Sequence, residues 1–189
     1  IGVSMSGIVG VSPNMKSGVV GITPKGHVIQ VVHERFEVSA TAINVNSTTP
    51  TDGWGASMSV NITPKQLNSK IHISFQGMNS HTHSYAGNKG ICLFIYHDVA
   101  GGGFTNVTTG RLLSGYYENG SSNGEWSEHV QSLWYLHSPS YTVGQEIKYR
   151  VFYSTHSDNS AATYLTHSKF NNDSNHELDA IGIAMEISA

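Results

Sequence analysis

Ile71-His72-Ile73-Ser74-Phe75-Gln76 sets three large apolar side chains against three polar ones in strict alternation. Only an extended backbone puts residues two apart on one face, so this stretch reads as a half-buried strand, apolar inward and polar outward. The same period recurs on both sides. Upstream, Met58, Val60 and Ile62 alternate with Ser57, Ser59 and Asn61; before them, Val28, Gln30, Val32, Glu34, Phe36 and Val38 share one face of a longer strand, with Ile29, Val31, His33 and Arg35 opposite. Downstream, Ile147, Tyr149, Val151 and Tyr153 oppose Lys148, Arg150 and Phe152. In the closing strand Ile181, Ile183, Met185 and Ile187 are expected to fill the core, while Gly182, Ala184 and Glu186 leave the other face small enough for another backbone to approach.

One segment breaks the pattern. Ile91-Cys92-Leu93-Phe94-Ile95-Tyr96 is apolar on both faces, and a two-layer sandwich covers only one of them, so a second subunit is expected over the other. No window carries a sustained 3.6-residue period, and Asp52-Gly53, Asn119-Gly120, Asn123-Gly124 and Gly101-Gly102-Gly103 punctuate the chain as turns. The expectation is an all-β fold of about eight strands, an antiparallel jelly-roll-like β-sandwich over residues 27–189, with an up-and-down barrel as the alternative.

Residues 1–26 read differently. Ser6-Gly7-Ile8-Val9-Gly10-Val11-Ser12-Pro13 recurs eleven positions later as Ser17-Gly18-Val19-Val20-Gly21-Ile22-Thr23-Pro24. Glycines and a terminal proline exclude a stable helix, and the apolar pairs Ile8-Val9 and Val19-Val20 are too short to bury themselves. They are expected to dock on a partner surface, which makes this segment an extended N-terminal anchoring arm.

Composition narrows the function classes. Charged residues are 12% of the 189 and the formal net charge is −3, with no Lys/Arg cluster, which argues against nucleic acid and against insertion into or binding to an anionic membrane. The single cysteine, Cys92, sits in the apolar run and allows no intrachain disulfide. Asn-x-Ser/Thr sequons at Asn46, Asn61, Asn106, Asn119 and Asn172 have no apolar signal peptide ahead of them, so synthesis in the cytoplasm is expected.

Catalytic chemistry finds little footing. His81 and His83, in Ser80-His81-Thr82-His83-Ser84-Tyr85, would point the same way in extended chain, but two imidazoles alone make a poor metal site and a polar hairpin loop is the expectation. His97-Asp98 and His156-Ser157-Asp158 pair an imidazole with a carboxylate, yet no Gly-x-Ser-x-Gly elbow supplies a nucleophile. Glu125 and Glu128 flank Trp126 at a spacing that sends them to different faces of a strand. No cofactor site is expected. Trp54, Tyr85, Tyr116, Tyr117, Trp126 and Tyr141, near loops rich in Asn and Ser, offer stacking faces for a glycan.

Several motifs carry a resemblance. Met5-Ser6-Gly7-Ile8-Val9-Gly10, Gly26-His27-Val28-Ile29-Gln30-Val31-Val32, Val60-Asn61-Ile62-Thr63-Pro64-Lys65, Asn68-Ser69-Lys70-Ile71-His72-Ile73, and the stretch from Gly144-Gln145-Glu146-Ile147 to Glu186-Ile187 resemble structural proteins of tailed bacteriophages, particularly those of marine cyanobacteria. The resemblance implies a homotrimer on the virion surface, a tail fibre, capsid fibre or decoration protein, joined to other capsid or tail proteins by its arm and engaged in host attachment. It also implies interest in His81 and His83, since fibres of this kind use His-x-His motifs to hold metal on a threefold axis. The rival reading is a carbohydrate-binding β-sandwich module of a bacterial surface protein.

Overall fold

A computed structural model describes residues 25–36, 43–45, 47–52, 58–82, 87–119, 127–155, 163–166 and 180–189. Within these, positions 43–45, 79–82, 87–90, 113–119, 127–129 and 163–166 are described by their backbone alone. The arm residues Ile8, Val9, Val19 and Val20 lie outside the described residues.

The chain is all-β, two antiparallel sheets packed face to face in a jelly-roll-like sandwich. Eleven strands are described: β1 Val28–Phe36, β2 Ile43–Val45, β3 Ser59–Ile62, β4 Lys70–Thr82, β5 Gly87–Val99, β6 Thr105–Asn106, β7 Leu113–Asn119, β8 Ser127–His137, β9 Ile147–Thr155, β10 Thr163–Thr166 and β11 Ala180–Ile187. One sheet runs β1-β11-β4-β10-β2 with β8 also on β4; the other runs β3-β9-β5-β6 with β7 also on β5. Strand β4 organises the first sheet. One of its edges pairs with β8 from Ile71 to Thr82, and the other takes β11 from Lys70 to Gln76 and then β10 from Asn79 to Thr82. Gly77, at φ 83°, supplies the left-handed residue where the β4–β8 register shifts.

The alternating strands bury the expected faces. Met58, Val60, Ile62, Ile71, Ile73, Phe75, Ile147, Tyr149 and Val151 fill the space between the sheets, and Phe36 stacks on Phe75 with ring centroids 6.3 Å apart. At about 1.5–3 kcal/mol for each large side chain, this buried set is the main favourable term in folding.

The closing strand faces the opposite way from the sequence expectation. Ala180, Gly182, Ala184 and Glu186 point between the sheets, and Ile181, Ile183, Met185 and Ile187 stand half-buried on the outside. The cause is volume. A Cβ on Gly182 would clash with the Val60 side chain and come within 2.9 Å of the Phe36 ring, so bulk from β1 and β3 already fills the core opposite β11. Glu186 is fully buried because its carboxylate accepts hydrogen bonds from the Lys65 and Gln66 amides, each at 3.0 Å, from Ser69 Oγ at 2.8 Å and from Gln30 Nε2 at 2.7 Å. The carboxylate thereby clamps the loop of residues 63–69 onto β1 and β11.

The two-sided apolar run also needs no second subunit. Ile91, Cys92, Leu93, Phe94 and Ile95 are all buried within one chain. On the outer face Tyr96 stacks on Phe152 at 4.0 Å, Phe104 packs against Phe152 at 5.7 Å, and the Arg150 guanidinium lies 4.5 Å over the Phe104 ring while bonding Asp52 at 2.8 Å. Side chains of the same chain, from β5, β9 and the loops carrying Phe104 and Asp52, thus supply cover assigned above to another copy.

Candidate functional site

The outward face of the first sheet carries the chemistry that most asks for a partner. Three rungs cross β1, β11, β4 and β8 in register: Val31–Met185–His72–Leu136, His33–Ile183–Ser74–Trp134 and Arg35–Ile181–Gln76–Ser132. Trp134 is 69% exposed, Val31 57% and Leu136 43%, with Val130 at 60% further along β8 and Val28 at 53% beside Ile187. Four strands at ~4.8 Å and the ~20 Å from Ile181 to Ile187 give a face of roughly 400 Å² in projection, on which Val31, Ile181, Ile183, Met185, Trp134 and Leu136 are apolar and His33, His72, Ser74, Gln76, Ser132 and Arg35 polar. Its charged residues, Arg35 and Lys70, stand at the margins. His72 lies over Trp134 with ring centroids 6.3 Å apart, and its Nδ1 is buried without a hydrogen-bond partner among the described residues.

At the far end of β8, titratable rings meet between the sheets. His137 is 8% exposed, its Nδ1 is 3.0 Å from the Tyr149 hydroxyl, and its ring meets that of His97 at 4.4 Å. Burial, and secondarily the neighbouring His97, push the His137 pKa down to about 4; burial likewise lowers that of His97 against the raising effects of the Thr105 carbonyl and Asp98. Burial drives the Tyr149 hydroxyl up, with Tyr141 adding to it. This is neutral packing that joins the two sheets. Asp98 is not a base for His97: its Oδ1 accepts from the Gly103 amide at 2.9 Å and pins the glycine turn, whose Gly101 and Gly103 take φ of 82° and 102°.

The other sites fall as follows. His81 lies on β4, opposite Glu128 of β8 and Tyr164 of β10, and β4 and β5 belong to different sheets. His83, Trp54, Tyr85 and Trp126 lie outside the described residues, and Tyr116 and Tyr117 are placed by backbone on β7, opposite Gly90 and Lys89. Tyr141 is structural: its hydroxyl donates to the Gln66 carbonyl at 2.6 Å and accepts from the Ser69 amide at 2.9 Å. Among the described residues no three His, Cys, Asp or Glu side chains gather as a metal site requires. Sequence reasoning missed β8 and with it Trp134. The signal was faint, since Leu133-Trp134-Tyr135-Leu136 is apolar at every position and shows no period.

No family model matches the chain, and no curated protein sequence does. Among solved structures it is similar to Eiger TNF from S. frugiperda, at 11% identity over 84% of this chain and 94% of that one, with a TM-score of 0.39. The CBM22-1 xylan-binding domain of Paenibacillus barcinonensis Xyn10C gives 10% identity over 89% and 99%, with a TM-score of 0.31. A chain of infectious bursal disease virus, Gt strain, gives 15% identity over 96% of this chain and 42% of its own, with a TM-score of 0.35. Likenesses of this size extend to the fold class alone.

Proposed function

We propose that this chain is a non-enzymatic structural protein of a virus particle, of phage fibre or decoration type. It assembles as a homotrimer through the outer face of the β1-β11-β4-β8 sheet and joins neighbouring virion proteins through its N-terminal arm. The carrying observation is the apolar face centred on Ile183, Met185, Trp134 and Leu136, with charge only at its margins. Such a face is self-compatible: like copies meet there without opposing like charges, and burial of its aromatic and aliphatic side chains drives association. The threefold number and the particle-surface location come from the resemblance to phage structural proteins, as does host attachment, with a surface glycan as the external partner.

Light scattering on the full-length chain tests the reading. A mass three times 20.4 kDa is expected. A single-chain mass at micromolar concentration overturns the trimer, and a monomer that binds glycans through Trp134 favours the carbohydrate-binding module instead.

A further inference from the structure

We propose that His72 makes assembly through the outer face of the first sheet sensitive to acid: copies stay joined while its imidazole is neutral and part when it is protonated. This rests on the reading of that face as the meeting place of like copies, and names what regulates it. His72 sits inside the face, paired with Met185 of β11 on one side and Leu136 of β8 on the other. Its ring lies nearly parallel to that of Trp134, at 17° and 6.3 Å between centroids, and its Nδ1 is buried with no hydrogen-bond partner. A neutral imidazole keeps one ring nitrogen free of a proton, and here Nδ1 can be that nitrogen. Protonation puts a charged N–H donor at a position that offers no acceptor. A free chain has water over the face, as the 69% exposure of Trp134 shows, and a second copy removes that water.

The charged groups around His72 do not compensate. On β4 the next residue of the same face is Lys70, which is positive. On β11 the outward residues from Ile181 to Ile187 are apolar, since Glu186 turns inward to the 63–69 loop. On β8, His137 turns inward to Tyr149, and Glu128 lies at the far end, opposite His81. Strand β1, beyond β11, brings His33 and Arg35 to the outward face, while Glu34 falls on the other, opposite Gly182. Protonation therefore adds positive charge where Lys70 and Arg35 already stand. That sign selects the occupant: a second copy carries the same set, so each proton opposes its like across the contact, whereas a partner bearing carboxylates would be drawn in by acid. Histidine ordinarily changes charge near pH 6.5. Assembly that disfavours the charged form is complete above that pH and weakens as the pH falls through it.

Light scattering on the full-length chain at pH 7.5 and pH 5.5 tests this. The concentration at half-assembly should rise at least about tenfold at the lower pH with circular dichroism unchanged. His72→Phe and His72→Gln, which keep an uncharged side chain beside Trp134, should hold that rise under about threefold, and His137→Gln should retain it in full. Equal assembly of the parent at both pH values overturns the proposal and leaves the oligomer standing; a single-chain mass at both removes the oligomer and the proposal together. Tighter assembly in acid overturns the second copy as occupant. If the His72 variants part in acid as the parent does while His137→Gln does not, acid acts through the core and the proposal is overturned. Calorimetric dilution of the parent near pH 6.5 in two buffers gives a second measurement that needs no variant: dissociation should take up protons, and no uptake overturns the role of His72.

Discussion

The Tyr149 hydroxyl lies 3.0 Å from Nδ1 of His137, and this buried contact ties β9 of one sheet to β8 of the other. Tyr149 is fully buried, so its hydroxyl depends on that imidazole, and the imidazole in turn is held neutral.

Acid should therefore loosen the sandwich as the pH falls below about 6.5. The folded His137 titrates near 4 and an unfolded histidine near 6.5, so its contribution is complete above pH 6.5, falls as the pH drops, and is gone below about 4. The full shift corresponds to about 3 kcal/mol, and partial solvent screening brings the expected loss to ~2 kcal/mol. Urea midpoints at pH 7 and pH 4.5 measure it. His137→Gln should flatten this part of the profile, and an unaltered slope in that variant assigns the acid sensitivity elsewhere.

Removing the charge of Glu186 should unclasp the 63–69 loop. Glu186→Gln keeps the shape but turns an amide donor toward the donors of Lys65, Gln66, Ser69 and Gln30. Leaving buried donors unpaired costs about 1–3 kcal/mol, more around a charge, so a loss of at least ~2 kcal/mol is expected in denaturant titrations. A loss under about 0.5 kcal/mol refutes the clamp.

Gly182→Ala tests the inverted closing strand. The added methyl meets Phe36 and Val60 in a filled core, and overpacking of this kind costs about 1–3 kcal/mol. If Gly182 faced outward, the same change would raise stability by a few tenths, since glycine is a poor strand residue. The sign of the shift in Tm separates the two.

Period two was legible wherever one face met water. Ile71 to Gln76 and Met58 to Ile62 were readable because the polar residues of these stretches mark the outside. In β11 the pattern was equally regular but its sense was not written locally: whether Ile183 or Gly182 faces the core depends on Phe36 and Val60, which arrive from distant strands. The stretch Leu133 to Leu136 of β8 left no period because all four residues are apolar, Leu133 and Tyr135 on the inward face and Trp134 and Leu136 on the outward one. The candidate site was thus hidden for the reason that makes it a site. His97-Asp98 misled in the other direction, as adjacent residues of a strand point to opposite faces and Asp98 serves the glycine turn.

The outer face makes the sharpest demand on solution behaviour. Trp134 is 69% exposed in the single chain, so Trp134→Glu should move folding stability by no more than about 0.5 kcal/mol. In an assembly built on this face the same side chain is central, and a carboxylate there would be buried without a partner at a cost of several kcal/mol per contact. Light scattering should accordingly report 20.4 kDa for Trp134→Glu where the parent chain gives three times that mass, with unchanged circular dichroism and Tm at concentrations where the parent too is dissociated. Ile183→Lys, in the same rung, should act alike, whereas Lys148→Glu on the opposite sheet should leave the mass alone. If Trp134→Glu remains assembled while Lys148→Glu dissociates, the copies meet through the other sheet and the apolar face serves a different partner.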